Sequence, residues 1–282
     1  MNKTVNLLIF GKVFLLLMFL SPATFAQQAS VAKTEKPKAT RTIKKAKHRH
    51  RAAFNYESSS KFQQIGSDFA EDSSLLDMIK PYSENVRLKM NTVIGHTKET
   101  INKEGPAAGK LGRLMTDIIR DAATKATRKK IDMGFQNNGG IRAEIPAGDI
   151  TIGTIFQLMP FDNEITTIEL TGSDLIALFE SMAPNIVGFG AAISGAELKY
   201  AEGKFVSATV GGNQIDPNHL YTMAITDYLY SGGGDYPLLR RGKNYSKTGV
   251  LLRDAIIDYI KSEQAAGREI VAPEKARVEV DK

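Results

Sequence analysis

The sequence predicts an α+β fold: a layered α/β domain whose sheets are mixed or antiparallel. Helical and extended periodicities alternate along the chain without a regular strand–helix–strand rhythm. A run of short strand-like segments follows, punctuated by Gly211-Gly212 and Asp216-Pro217. With 42% hydrophobic residues among 282, there is ample material for a real core.

Order is expected from residue 73 to residue 282. Leu75, Leu76, Met78 and Ile79 begin a short helix, with Ser73 or Ser74 placed to cap it. Thr92–Thr97 reads as a strand. Leu111, Leu114, Met115, Ile118, Ile119 and Ala122 recur at helical spacing and predict an amphipathic helix over Lys110–Lys129. Ile131–Gln136 is a strand running into a glycine turn. Ile152–Met159 reads as a short helix after Thr151, Ile165–Leu170 as a strand by alternation, and Ser173–Met182 as a helix. Strands at Ala196–Tyr200, Phe205–Val210 and Tyr221–Ile225 come next, then an amphipathic helix over Gly249–Gln264 and a last strand at Arg277–Val280.

Two segments precede this region. Lys3 and Lys12, the apolar run Val13–Leu20, and the small-residue end at Thr24-Phe25-Ala26 have the order of a secretory signal peptide, residues 1–26. A membrane anchor is the other reading, but the apolar run is short for a span. The chain has no cysteine, hence neither disulfides nor a lipidation site of the lipoprotein type. The expected location is periplasmic or secreted. Residues 27–72 form a basic, then polar, tail of disordered composition. Nine Lys or Arg and one acid lie between Lys33 and Arg51. Outside that tail and the leader, acidic side chains outnumber basic ones, so the positive total belongs to the tail and the domain is no nucleic-acid-binding fold. The tail suits contact with anionic envelope polymers, or service as a solvated spacer.

Three clusters can carry chemistry. In Asn137-Asn138-Gly139-Gly140-Ile141-Arg142, glycines past a strand let a ligand approach the backbone, and Arg142 offers a two-pronged grip on phosphate. Met159-Pro160-Phe161-Asp162-Asn163 sets an aromatic beside polar groups. Asp227-Tyr228-Leu229-Tyr230-Ser231-Gly232-Gly233-Gly234-Asp235-Tyr236-Pro237 suits a loop that wraps a ring and meets hydroxyls. Each alone also reads as an ordinary surface loop.

In this order the strings NNGGIR, PFDN and DYLYSGGGDYP resemble the C-terminal, substrate-binding domain of the 5'-nucleotidase and UDP-sugar hydrolase family. There the patterns are N/S-G-G-G-I-R, Q/L-P-F-G, and an aromatic before G-G-D-G. The resemblance runs from Val93-Ile94-Gly95 to the last strand. It implies that Arg142 contacts the substrate phosphate, Asn137 the nucleoside, and Phe161 and Tyr228 the two faces of the base. Stacking of this kind accepts many heterocycles.

Departures from the family pattern shape the expectation. Gly234 stands where the family has its ribose-binding aspartate, and Asp235 follows it. Glu104-Gly105-Pro106-Ala107-Ala108 replaces a segment that carries arginines, leaving Lys103 or Lys110 as point charges. The family's two catalytic metals are held by D-x-H, G-N-H-D/E and G-H-x-H motifs in another domain. The four histidines here, His48, His50, His96 and His219, sit in none of these. The resemblance therefore implies no catalytic residue, metal ligand or cofactor in this chain, and divalent metals in a separate metallophosphatase subunit. The chain would be the exported half that binds a nucleotide or nucleotide sugar. The alternative is a non-catalytic nucleotide-binding or envelope interaction protein.

Overall fold

A computed structural model describes residues 71–188 and 190–281. The predicted signal peptide, and the tail apart from Glu71 and Asp72, lie outside the described residues. Helix α1 spans Ser73–Met90 and is capped by Asp72, whose carboxylate accepts from the Ser74 and Leu75 amides. The expected cap, Ser73 or Ser74, is thus one or two residues late. The helix is also longer than its opening predicts, because it runs on through Pro81.

Strand β1 (Val93–Thr97) leads through a one-turn helix to α2 (Gly109–Thr127) and β2 (Met133–Gln136). Strand β3 (Gly148–Thr151) pairs antiparallel with β1 and ends on Thr151. That threonine caps α3 (Ile152–Leu158) through a reciprocal bond with Thr154. Next come β4 (Glu164–Thr171), α4 (Gly172–Met182), β5 (Ala192–Ser194), β6 (Ala196–Ala201), β7 (Lys204–Val210), β8 (Asn213–Gln214) and β9 (Leu220–Thr226). The chain closes with α5 (Asp227–Tyr230), β10 (Lys243–Leu251), α6 (Leu252–Ala265) and β11 (Val278–Asp281). The last predicted helix therefore begins three residues late. Gly249–Leu251 finish a strand whose bulged, lysine-bearing pattern hides its period.

The central sheet has the order β10-β4-β9-β2-β5, with β9 and β2 parallel and the other neighbours antiparallel. A second sheet, β11-β6-β7-β8, is likewise mixed. The class is α+β with layered mixed sheets, as the sequence predicts. Alternation along the central strands divides the core in two. Ala224 and Ile165 face the apolar sides of α2 and α6, while Met223, Ile225, Ile168 and Phe135 face α4 and the second sheet. Helix α2 comes so close to β2 that a Cβ on Gly134 would lie 2.3 Å from the Thr116 carbonyl oxygen. Ser194 closes the seam, donating to that carbonyl at 2.8 Å and accepting from the Gly134 amide at 3.1 Å.

Candidate functional site

Topology brings the three sequence clusters together. Strands β2 and β9 are parallel, so Gln136 and Thr226 leave the sheet at the same end. Strand β4 is antiparallel to β9 with Ile165 opposite Thr226, so it enters at that end. The loops after β2, before β4 and after β9 therefore emerge side by side. Asp227 ties two of them: its Oδ1 accepts from the Glu164 amide at 3.1 Å and from the Tyr228 amide at 2.8 Å.

Between the loops lies an open cleft of about 540 Å³. Asn137, Arg142, Phe161, Tyr228 and Asp235, the five residues singled out in the sequence, all line it. The loop after β2 makes one wall. Asn137 and Asn138 are buried, and the Asn137 Oδ1 accepts from the Gln136 Nε2 at 3.0 Å. Asn138 Nδ2 donates to the Gly188 carbonyl at 2.9 Å. The Arg142 amide donates to the Leu158 carbonyl at 2.9 Å, which fixes the backbone and leaves the guanidinium exposed, its Nη1 resting on the Gly139 carbonyl at 3.1 Å. Among the described residues Arg142 is the one cation lining the cleft. Lys110 is held by Glu274 at 2.7 Å and Glu99 at 3.5 Å, and Lys103 donates to the Ile141 carbonyl at 2.9 Å. Neither lysine lines the cleft.

Phe161 and Tyr228 are exposed for their size, at 39% and 49%. Apolar rings left in water beside a cleft are a ready stacking surface. Each is held from behind. Arg253, on the first turn of α6, lies over the Phe156 ring at 4.2 Å, pairs with Asp162, and reaches the Phe161 carbonyl at 3.5 Å. Tyr228 rests on the glycine loop, where a Cβ on Gly233 would fall 2.2 Å from the ring.

The register of the aspartate has a physical reason. Both Gly234 (φ 75°) and Asp235 (φ 60°) are left-handed. A Cβ at Gly234 would press on Leu229 at 2.9 Å and on Asn137 Nδ2 at 3.1 Å. Asparagine and aspartate are the side chains that best tolerate the left-handed region. The carboxylate thus sits one position on, still lining the cleft. Tyr236, the next residue, is buried and meets Phe135 edge-on at 5.0 Å. Burial pushes its phenol up to about 12, against a hydrogen bond from the Ala191 backbone that works the other way.

Sequence reasoning passed over Asn138, Asn163 and Tyr236 as site residues, although they stand inside the strings it quoted. It had no signal for Ser181 and Asn185, which reach the cleft from the end of α4, nor for Arg253. The two histidines among the described residues lie apart from the cleft: His96 pairs with Asp149 at 3.1 Å, and His219 packs on Tyr221. Among the described residues no group of three His, Asp or Glu is placed to hold a metal, so the dinuclear centre of the resemblance does not fit them.

Known proteins agree with this architecture. Residues 93–241 match the family model described as 5'-nucleotidase, C-terminal domain. A 5'-nucleotidase of Vibrio vulnificus is 27% identical over 203 residues, 70% of this chain and 36% of that protein. An apyrase of Tabanus yao is 28% identical over 222 residues, 70% of this chain and 40% of that protein. The chain thus spans little more than a third of the length of these relatives. The fold is also that of the 5'-nucleotidase precursor from Thermus thermophilus, with a TM-score of 0.62 at 24% identity over 75% of this chain and 44% of that one. With more than half of its length matched by the family model, the chain belongs to the 5'-nucleotidase C-terminal domain family.

Proposed function

We propose that this domain is the substrate-binding half of a 5'-nucleotidase-type hydrolase of nucleotide catabolism, holding a nucleotide or nucleotide sugar for a separate metallophosphatase subunit. One observation carries the reading: a cation, two exposed rings, a buried amide and a carboxylate, supplied by three separate loops, line a single cleft. In this assignment Arg142 grips the phosphate, Phe161 and Tyr228 stack on the base, Asn137 contacts the nucleoside, and Asp235 takes the ribose hydroxyls. Charge is divided to match, with the cation for the anionic end and the carboxylate for the hydroxyl-bearing part. In this assignment the metals belong to the partner. The leader-like start and the lack of cysteine support a periplasmic or secreted protein that is not a lipoprotein, with the basic tail free to meet anionic envelope polymers.

A non-catalytic nucleotide-binding role is the second reading. It is favoured by the lone Arg142, because the two nearby lysines are engaged elsewhere. Calorimetric titration with AMP, with and without divalent metal, tests the site. Metal-independent binding is expected, weakened roughly 10- to 100-fold by Arg142→Ala through loss of charged hydrogen bonds. Phe161→Ala should weaken it by a similar factor through loss of stacking. Absence of binding would remove both readings. Binding without turnover, after the metal-bearing phosphatase of the same compartment is added, would favour the second.

A further inference from the structure

Helix α1 is out of place as a surface helix. It has no buried residue, yet half of the large apolar side chains left exposed among the described residues lie on it. Leu75, Met78, Ile79, Tyr82 and Val86 are 52–75% exposed. Its last turn supplies its clearest hold on the domain, with Met90 against Gly153 of α3 and the Ile152 amide on the Thr92 carbonyl at 3.0 Å. Helices in proteins draw most of their stability from packing an apolar face, so this face needs a cover.

The spacing says what kind. Leu75, Ile79, Tyr82 and Val86 recur at intervals of four, three and four, the a/d seam of a two-stranded coil. Leu76 and Met78 flank the seam at e and g. The charged residues Asp77, Lys80, Glu84 and Arg87 all fall on the outer b and f positions, and Pro81, with no amide to donate, also points outward.

We propose that α1 pairs with α1 of a second copy of this chain, antiparallel, with Leu75 layered on the other copy's Val86 and Ile79 on its Tyr82. Charge selects this partner and direction. Extending the same register outward sets the capping residue, Asp72, opposite Lys89, the next d position, at both ends of the seam. A parallel pair would instead set Asp72 against Asp72 and Lys89 against Lys89. From Leu75 to Val86 the seam is about 17 Å long, which suits a reversible dimer more than an obligate one.

The purified chain should show a concentration-dependent monomer–dimer equilibrium by sedimentation. Ile79→Glu combined with Tyr82→Glu should weaken association by about 100-fold, as for removal of central anchors, with the melting of the domain unchanged because neither side chain is buried. The chain has no cysteine, so engineered ones report cleanly. A Leu75→Cys chain mixed with a Val86→Cys chain should be joined by a short bismaleimide linker, and neither chain alone should be. A monomer at every concentration overturns the proposal, whether residues 1–70 or another protein then covers the helix. So do a dimer indifferent to the glutamates and a linkage of Leu75→Cys chains to one another.

Discussion

Two of the loops that line the cleft differ in burial and in backbone conformation, and so in plan. From Asn137 to Arg142 the last three amides are tied: Gly140 to the Asn137 carbonyl at 3.1 Å, Ile141 to Asn138 at 3.0 Å, and Arg142 to Leu158 at 2.9 Å. Its two asparagines are buried. From Ser231 to Asp235 the chain is largely exposed, and Gly232, Gly234 and Asp235 are all left-handed. Its first three amides are tied, Ser231 to the Asp227 carbonyl at 2.9 Å, Gly232 to Leu229 at 3.1 Å and Gly233 to Tyr228 at 3.0 Å, and beyond Gly234 and Asp235 the Tyr236 ring anchors it on Phe135. The difference fits the groups each loop offers. A guanidinium must be fixed to grip an anion with two parallel bonds, whereas a ring and a carboxylate on glycines can adjust to the ligand that arrives.

If the plans differ as described, the same kind of substitution should behave differently in the two loops. Gly140→Ala should be the most damaging, since its Cβ would meet the buried Gln136 amide at 2.2 Å and Asn137 Oδ1 at 2.8 Å. Neither has room to retreat, so a loss of about 2–3 kcal/mol is expected, read as a fall in melting temperature together with loss of AMP binding. A fully stable, fully binding variant would show that the first loop is as adjustable as the second.

Next comes the anchor of the adjustable loop. The Tyr236 phenol has a folded pKa of about 12, above the usual 10. Its raised value means that stability is fully present below pH 10 and lost as pH rises from 10 toward 12. The expected slope amounts to roughly 2 kcal/mol across that window. Tyr236→Phe keeps the ring on Phe135 and should flatten this alkaline limb, leaving the part due to Tyr200, whose phenol burial also raises. An unchanged limb would mean that the loop opens and wets Tyr236 in the folded protein.

The fold and the cleft were unequally legible in the sequence. Helix α2 declared itself through period, because it buries one face against a continuous core; strand β4 was legible although it is buried on both faces. Strand β10 did not: it is an edge strand whose side chains face mostly water, so no apolar alternation is imposed on it. The five site residues were legible as local strings, and the parallel pairing of β2 with β9 that unites them was not. Ser181 and Asn185 join the cleft only through the placing of α4, which no local pattern records.

Two smaller effects sharpen the contrast. Gly233→Ala puts a Cβ 2.2 Å from the Tyr228 ring, but that ring is half-exposed and its outer face meets water. Stability should fall by less than about 0.5 kcal/mol while AMP affinity falls by about 1 kcal/mol as one stacking face moves. Equal losses in both would mean that Tyr228 is as fixed as Arg142. Asp235→Gly is the finest probe. Glycine relieves a left-handed aspartate, so the domain should gain roughly 0.5–1 kcal/mol. If the carboxylate meets ribose, affinity for AMP should fall while affinity for inorganic phosphate, which has no hydroxyl-bearing sugar, stays where it was. A gain in stability with no loss of AMP binding would leave the left-handed turn as the whole account of this position, and the ribose contact would have to be sought at Asn163 or Asn185.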